Sequence, residues 1–173
     1  VKRAPESLLP AMTAIQGVSS VETRIVMDVT LDVPGLGEPA TGRLVSIPSR
    51  QTRSLNALFL SEGRWPDAAN EVIISETFAG ANRMESGAQL SAIMSGKWVR
   101  LNVVGKALSP EFVYEARPGE VFPDSRRFGV LWMKRDAVAA AFNLEGAFNE
   151  ATFSLARESN EQDVIRRIDN LLD

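Results

Sequence analysis

The sequence contains neither cysteine nor histidine. With no thiolate and no imidazole, Ser-His-Asp and Cys-His catalysis are excluded, and so are Cys/His zinc sites and thiol redox chemistry. Carboxylate, Ser/Lys or oxygen-ligand metal chemistry is what remains. Lysine occurs only as Lys2, Lys97, Lys106 and Lys134, and none completes a Ser-x-x-Lys motif. A glycine-rich phosphate loop is missing, as is any D-x-D-x-D-G calcium run. Basic charge is not in excess: 19 Lys+Arg stand against 22 Asp+Glu, for a net charge of −3. That balance argues against broad nucleic-acid binding, which needs a basic footprint. The longest uncharged stretch, Ser7 to Val21, carries Pro10 and Gly17, whereas a membrane span needs about 20 mostly apolar residues. No apolar segment of signal-peptide type follows Val1-Lys2-Arg3. The missing initiator Met, and an end inside a helical pattern at Leu171-Leu172-Asp173, read as a piece of something longer. The lack of cysteine leaves the compartment open.

What is present is an ordinary globular composition, 45% hydrophobic and 24% charged over 173 residues. A chain of this size buries roughly 70% of its unfolded surface, enough for one domain or two small subdomains. Ser7 as N-cap, Pro10 in the first turn and Gly17 at the end predict a helix over Leu8–Gln16. Val21 to Val33 alternates apolar and polar positions, broken only at Val26, and reads as one long strand. Gly42–Ile47 continues as a strand, Pro48–Ser54 as a loop and Leu55–Leu60 as a short apolar run. Beyond Gly63-Arg64-Trp65-Pro66-Asp67 the pattern becomes strand (Glu71–Ser75), short helix (Glu76–Asn82), and a hairpin of Gln89–Met94 and Lys97–Val104 around Ser95-Gly96. Ser109–Arg127 reads as a long ordered loop, Phe128–Met133 as a buried strand and Asp136–Phe142 as a helix. Thr152–Leu155 is a strand, and Ser159-Asn160-Glu161-Gln162 caps a final helix. Glu71–Gly87 and Phe128–Gly146 echo one another, too faintly to count as a repeat.

This order predicts an α+β fold in two pieces. Residues 1–62 and 149–173 form a mixed α/β subdomain carrying both long helices, and residues 63–148 are a smaller β-rich subdomain inserted between them.

The carboxylates Glu111, Glu115, Glu120 and Asp124 are the best enzymatic candidates, because a hydrolase of that kind needs two in one cleft. Solvated loop charges paired with Arg117, Arg126 and Arg127 are the simpler reading. Ser75 before Glu76 reads as a helix N-cap rather than a nucleophile. No catalytic, cofactor or metal residue is assigned. Trp98 and Trp132 read as core, and Trp65 as either core or contact. Phe112, Tyr114 and Phe122 lie in the long loop, where contact surfaces concentrate; with Trp65, Glu111, Arg126 and Arg127 they make up the candidate partner contact. Arg43, Arg50, Arg53 and Arg64 read as a solvated face, with lipid headgroups or an acidic partner as the alternative.

The run Leu60-Ser61-Glu62-Gly63-Arg64-Trp65-Pro66, followed by Glu71-Val72-Ile73-Ile74-Ser75-Glu76-Thr77-Phe78-Ala79, resembles the signature of the MacB-like periplasmic core domain of FtsX-like ABC-transporter permeases. The turn at Gly87 and the strand Leu101–Gly105 fit the same pattern, as do Ala107–Tyr114 and Pro123–Met133. The resemblance runs best from about Leu44 to Asp169. It implies a porter-like α/β subdomain near a membrane with a β-rich insertion, on the periplasmic or extracellular face of the cytoplasmic membrane. It also implies a non-enzymatic arm moved by a cognate ABC ATPase through a membrane part. The partners implied are a second permease copy and a periplasmic protein or lipoprotein, and the excised domain would be monomeric. A soluble ligand-binding module is the rival, and it predicts a deep apolar pocket of Phe112, Tyr114 and Phe122. The lever reading predicts that Val1 and Asp173 emerge from one end.

Overall fold

The computed structural model describes residues 2–48, 55–113 and 124–172. Its strands are β1 (Ala4–Pro5), β2 (Val18–Arg24), β3 (Val26–Asp32), β4 (Ala40–Ile47), β5 (Phe59–Gly63), β6 (Glu71–Ser75), β7 (Gln89–Met94), β8 (Lys97–Leu108), β9 (Phe128–Lys134), β10 (Ala147–Phe148) and β11 (Glu150–Leu155). The helices are α1 (Leu9–Thr13), α2 (Glu76–Asn82), α3 (Arg135–Phe142) and α4 (Glu161–Leu172), with a 3-10 turn over Glu6–Leu8 before α1.

The expected single strand over Val21–Val33 is two strands, and the misfit at Val26 marks the break. β2 pairs with β11 in a two-stranded ribbon, whereas β3 pairs with β4 and β7 in a different sheet. Between them Ile25 is fully buried in the core of that second sheet. The larger sheet runs β5-β8-β6-β9-β4-β3-β7, and β7 also bonds to β8. Six strands therefore close into a ring, with β5 appended to β8. The twelve residues of β8 make closure possible: its first half meets β7, and its second half meets β6 and β5.

The ring takes in β3 and β4, so the expected boundary at residues 62/63 does not follow the strand pairing. Alternation on β9 explains why: Leu131 and Met133 enter one core with residues from β3, β4 and β6 to β8, while Phe128, Val130 and Trp132 enter a second. Both faces of β9 are buried, which is why it reads as an unbroken apolar run. The echo seen in the sequence is physical. α2 and α3 each follow a central strand, and each ends at a left-handed residue, Arg83 and Asn143, both at φ 54°. Beyond these, Met84 N–H donates to Ala79 O and Leu144 N–H to Ala139 O, both at 2.9 Å. Phe78, Ala79, Val138 and Ala139 bring both helices onto the same core.

The remaining elements form a small helical layer. Leu8, Leu9 and Met12 meet Leu171 and Leu172 of α4 over Val21, Ala151 and Phe153 of the ribbon, with Ala4 and Phe148 beside them. The first helix is shorter than expected, and Ser7 lies in the 3-10 turn rather than at its N-cap. At α4 the cap is Asn160, whose Oδ1 accepts from the N–H groups of Gln162 (3.0 Å) and Asp163 (3.3 Å). Ser159 instead donates to Gly17 O at 3.1 Å, joining the start of α4 to the end of the first helical segment.

Candidate functional site

The turn Gly63–Glu71 is built by its own residues. Gly63 sits at φ 81°, where a β-carbon would stand 2.2 Å from Val104 O, so only glycine fits. Arg64 N–H then donates to Val104 O at 2.9 Å. The Arg64 guanidinium reaches Glu71 Oε2 at 2.8 Å and Oε1 at 2.5 Å, and the same carboxylate accepts from the N–H groups of Asp67 (2.7 Å) and Ala68 (3.1 Å). Arg64, followed by these backbone donors, holds the Glu71 carboxyl down to about 2. The Gly-Arg-x-Pro…Glu-Val spacing is thus a stapled turn. Pro66 is buried, and half-buried Trp65 packs on the core around Trp132.

Phe112 packs on the same core, its ring edge-on to Trp132 with centroids 6.3 Å apart. Glu111, one residue earlier, accepts from Arg24 Nη1 at 2.6 Å and from Asn56 Nδ2 at 3.1 Å. Arg24 Nε also donates to Glu150 at 2.6 Å. Burial alone would lower the Arg24 pKa, and the hydrogen bonds it donates to Glu111 and Glu150 outweigh it, leaving the guanidinium firmly charged. Asp124 Oδ1 accepts from Arg126 N–H at 3.1 Å, and its carboxylate lies 3.7 Å from Arg127, which also pairs with Glu38 at 2.6 Å. The pairing of Asp124 with loop arginine holds, while Glu111 finds Arg24 instead.

Of the candidate contacts, the structure brings Trp65 and Phe112 onto one core, and sets Glu111 at the ribbon. Arg126 lies beside α2, where Asn82 Nδ2 donates to Arg126 O at 3.2 Å, and Arg127 lies beside β4, where Thr41 N–H donates to Arg127 O at 2.7 Å. Tyr114 and Phe122 fall outside the described residues, as do Arg50, Arg53, Glu115, Arg117, Glu120, Val1 and Asp173. Trp98 is corrected: it is 62% exposed on β8, opposite Ile93 of β7, because it falls on the outward phase of the hairpin. Trp132 is core at 2%. Arg43 and Arg64 are paired, Arg43 with Asp28 at 2.9 Å across β3–β4. Ser75 takes the N-cap position of α2 with no capping side-chain bond, and its Oγ accepts from Val130 N–H at 3.3 Å. The cavity between the ribbon and the β5 side, lined by Arg24, Ser46, Asn56, Glu111 and Trp132, is about 30 Å³, the space of a water molecule. Among the described residues, no three acidic side chains gather as a metal site, and no helix is long and apolar enough to cross a membrane.

Sequence reasoning missed the residues that join the two parts: Glu6, Arg24, Arg135 and Asn149. The one signal for them was the break in alternation at Val26.

No protein-family model and no curated protein matches this sequence. Solved structures do share its fold. The extracellular domain of the noncanonic ABC-type transporter YknZ from Gram-positive bacteria is 14% identical with a TM-score of 0.56, covering 96% of this chain and 79% of its own. The periplasmic region of MacB from Actinobacillus actinomycetemcomitans is 13% identical with a TM-score of 0.54, covering 99% and 74%. A domain of a putative permease protein from Porphyromonas gingivalis is 10% identical with a TM-score of 0.54, covering 99% and 70%. The chain has the fold of MacB-like periplasmic domains, as the order of its motifs led us to expect.

Proposed function

We propose that this chain is the extracytoplasmic domain of an ABC-transporter permease subunit, which transmits ATP-driven movement and contacts substrate or partner proteins outside the membrane. One observation carries the reading beyond shared fold. Ala4 on β1, near the start of the chain, and Leu171 and Leu172 on α4, near its end, pack into a single small core beside the ribbon. A force applied through both ends would enter one packed unit. The domain sits on the outer face of the cytoplasmic membrane, driven by a cognate ATPase and paired with a second permease copy in the intact transporter. Its partner is a periplasmic protein or lipoprotein. It performs no catalysis itself: Glu111, one of the carboxylates considered, is engaged by Arg24 and Asn56.

The test is reporter fusion in the full gene product. Alkaline phosphatase fused at the exposed turn Ser95-Gly96 should be active, and a cytoplasm-dependent fluorescent reporter there should be dark. The reverse pattern overturns the location. Photo-crosslinking from position 112 or 65 in cells should then capture a second extracytoplasmic protein; capture of cytoplasmic proteins alone overturns the contact role.

A further inference from the structure

The chain passes between helical layer and ring twice, at Arg24–Val26 and at Ala147–Asn149, and both passages are fastened. Asn149 Oδ1 accepts from Val26 N–H at 2.8 Å while its Nδ2 donates to Val26 O at 2.7 Å. One amide side chain therefore stands in for a neighbouring strand at the first residue of β3. Asn149 N–H also donates to Arg24 O at 3.3 Å. Thr23 and Arg24 are adjacent on β2, so their side chains leave opposite faces of the ribbon. On the Thr23 face, Arg135 at the start of α3 donates to Thr23 O at 2.5 Å, to Ala147 O at 3.2 Å and to the Glu6 carboxylate. The same carboxylate accepts from the Thr23 hydroxyl at 2.9 Å. On the Arg24 face, the guanidinium grips Glu150 within the ribbon and Glu111, three residues past the end of β8.

We propose that this junction is a locked coupling: Asn149, Arg135 and Arg24 fasten the ribbon to the ring on both faces, so that the two parts move as one body. Two packed parts joined by two single passages would ordinarily rock against one another. Here, rocking toward either face must break charge-assisted hydrogen bonds, which are roughly twice as strong as neutral ones. It must also leave a guanidinium poorly solvated, since the Arg24 side chain is only 11% exposed. Arg135 belongs to the ring and reaches into the layer, and Arg24 belongs to the layer and reaches the ring side. Opposed grips of this kind resist both senses of bending. The inference concerns the joint alone, and its failure would leave the extracytoplasmic reading standing.

The absence of cysteine makes the test direct. Spin labels at Lys97→Cys on the ring and Asp169→Cys on α4 report the distance between parts by pulsed dipolar spectroscopy. The expected result is one narrow distance peak, at least doubled in width by Asn149→Ala or Arg135→Met. A broad distribution with the junction intact overturns the proposal, as does an unchanged width in both variants. Amide hydrogen exchange provides a second readout, and Glu6→Gln substitutes should Arg135→Met fail to fold. Protection in β2 and β11 should drop at least tenfold relative to β6 and β9, whereas an equal loss in all four strands overturns the proposal.

Discussion

The ring of Phe78 lies over Gly129 so closely that a β-carbon at residue 129 would stand 2.3 Å from its Cγ. Gly129 pairs across the parallel β4–β9 ladder with Gly42, where a β-carbon would come within 2.7 Å of Leu131 and 2.8 Å of Leu31. Gly129 thus lets α2 seat its aromatic anchor against the sheet, while Gly42 makes room for Leu31 and Leu131. Gly129→Ala should cost about 2–3 kcal/mol in urea unfolding, in the range for an overpacked core. Adding Phe78→Leu should recover part of that loss, so the double variant is more stable than the sum of the two. Strict additivity would show that the ring does not press on this position.

Glu71 sets an acid limit. Its carboxyl is held at about 2, first by Arg64, against an ordinary value of 4.5. A depressed folded-state value means stabilisation that is complete above about pH 4.5 and is lost as pH falls toward 2. Because the pair lies at the surface, solvent limits its worth to about 1 kcal/mol. Glu71→Gln should lower the unfolding free energy by that amount at pH 7, and flatten the dependence between pH 4.5 and 2. An unchanged acid profile in the variant would exclude Glu71 as the source.

Phe112 covers Trp132 edge-on, and Trp132 is 2% exposed. Phe112→Ala should shift Trp132 emission to longer wavelength and cost about 1 kcal/mol beyond lost area, as for other aromatic pairs. The measurement is clearest with Trp98→Phe, which silences an exposed tryptophan at little cost. If the emission does not move, the loop carrying Phe112 does not cover the core in solution.

Local structure was legible wherever one physical rule dominated. The Ser95-Gly96 hairpin was clear because both residues adopt positive φ, at 48° and 77°. The strand Phe128–Lys134 was clear because both its faces are apolar. The division of the chain was not legible, because it depends on which strands bond to which, and β3 looks like a continuation of β2. Period 2 survives the crossing at Ile25 almost intact; only Val26 betrays that the chain has changed sheets. Trp98 misled for a related reason, since at the start of β8 an outward-facing tryptophan and a buried one look alike until the strand's partner is known. The Arg64–Glu71 staple was visible as spacing but not as chemistry, whereas Asn149 and Arg135 carried no signal beyond that one irregular position.

The closed circuit of six strands has a bearing on how these molecules keep apart at high concentration. Within the larger sheet, among the described residues, β5 is the margin where pairing stops, and it carries Phe59 at 66% exposure. Its pairing with β8 slips between Leu60 and Glu62, and Gly63 then turns it aside. A margin so short and bent is a poor template for a stranger's strand. Crowded side by side, such domains would resist knitting into fibres.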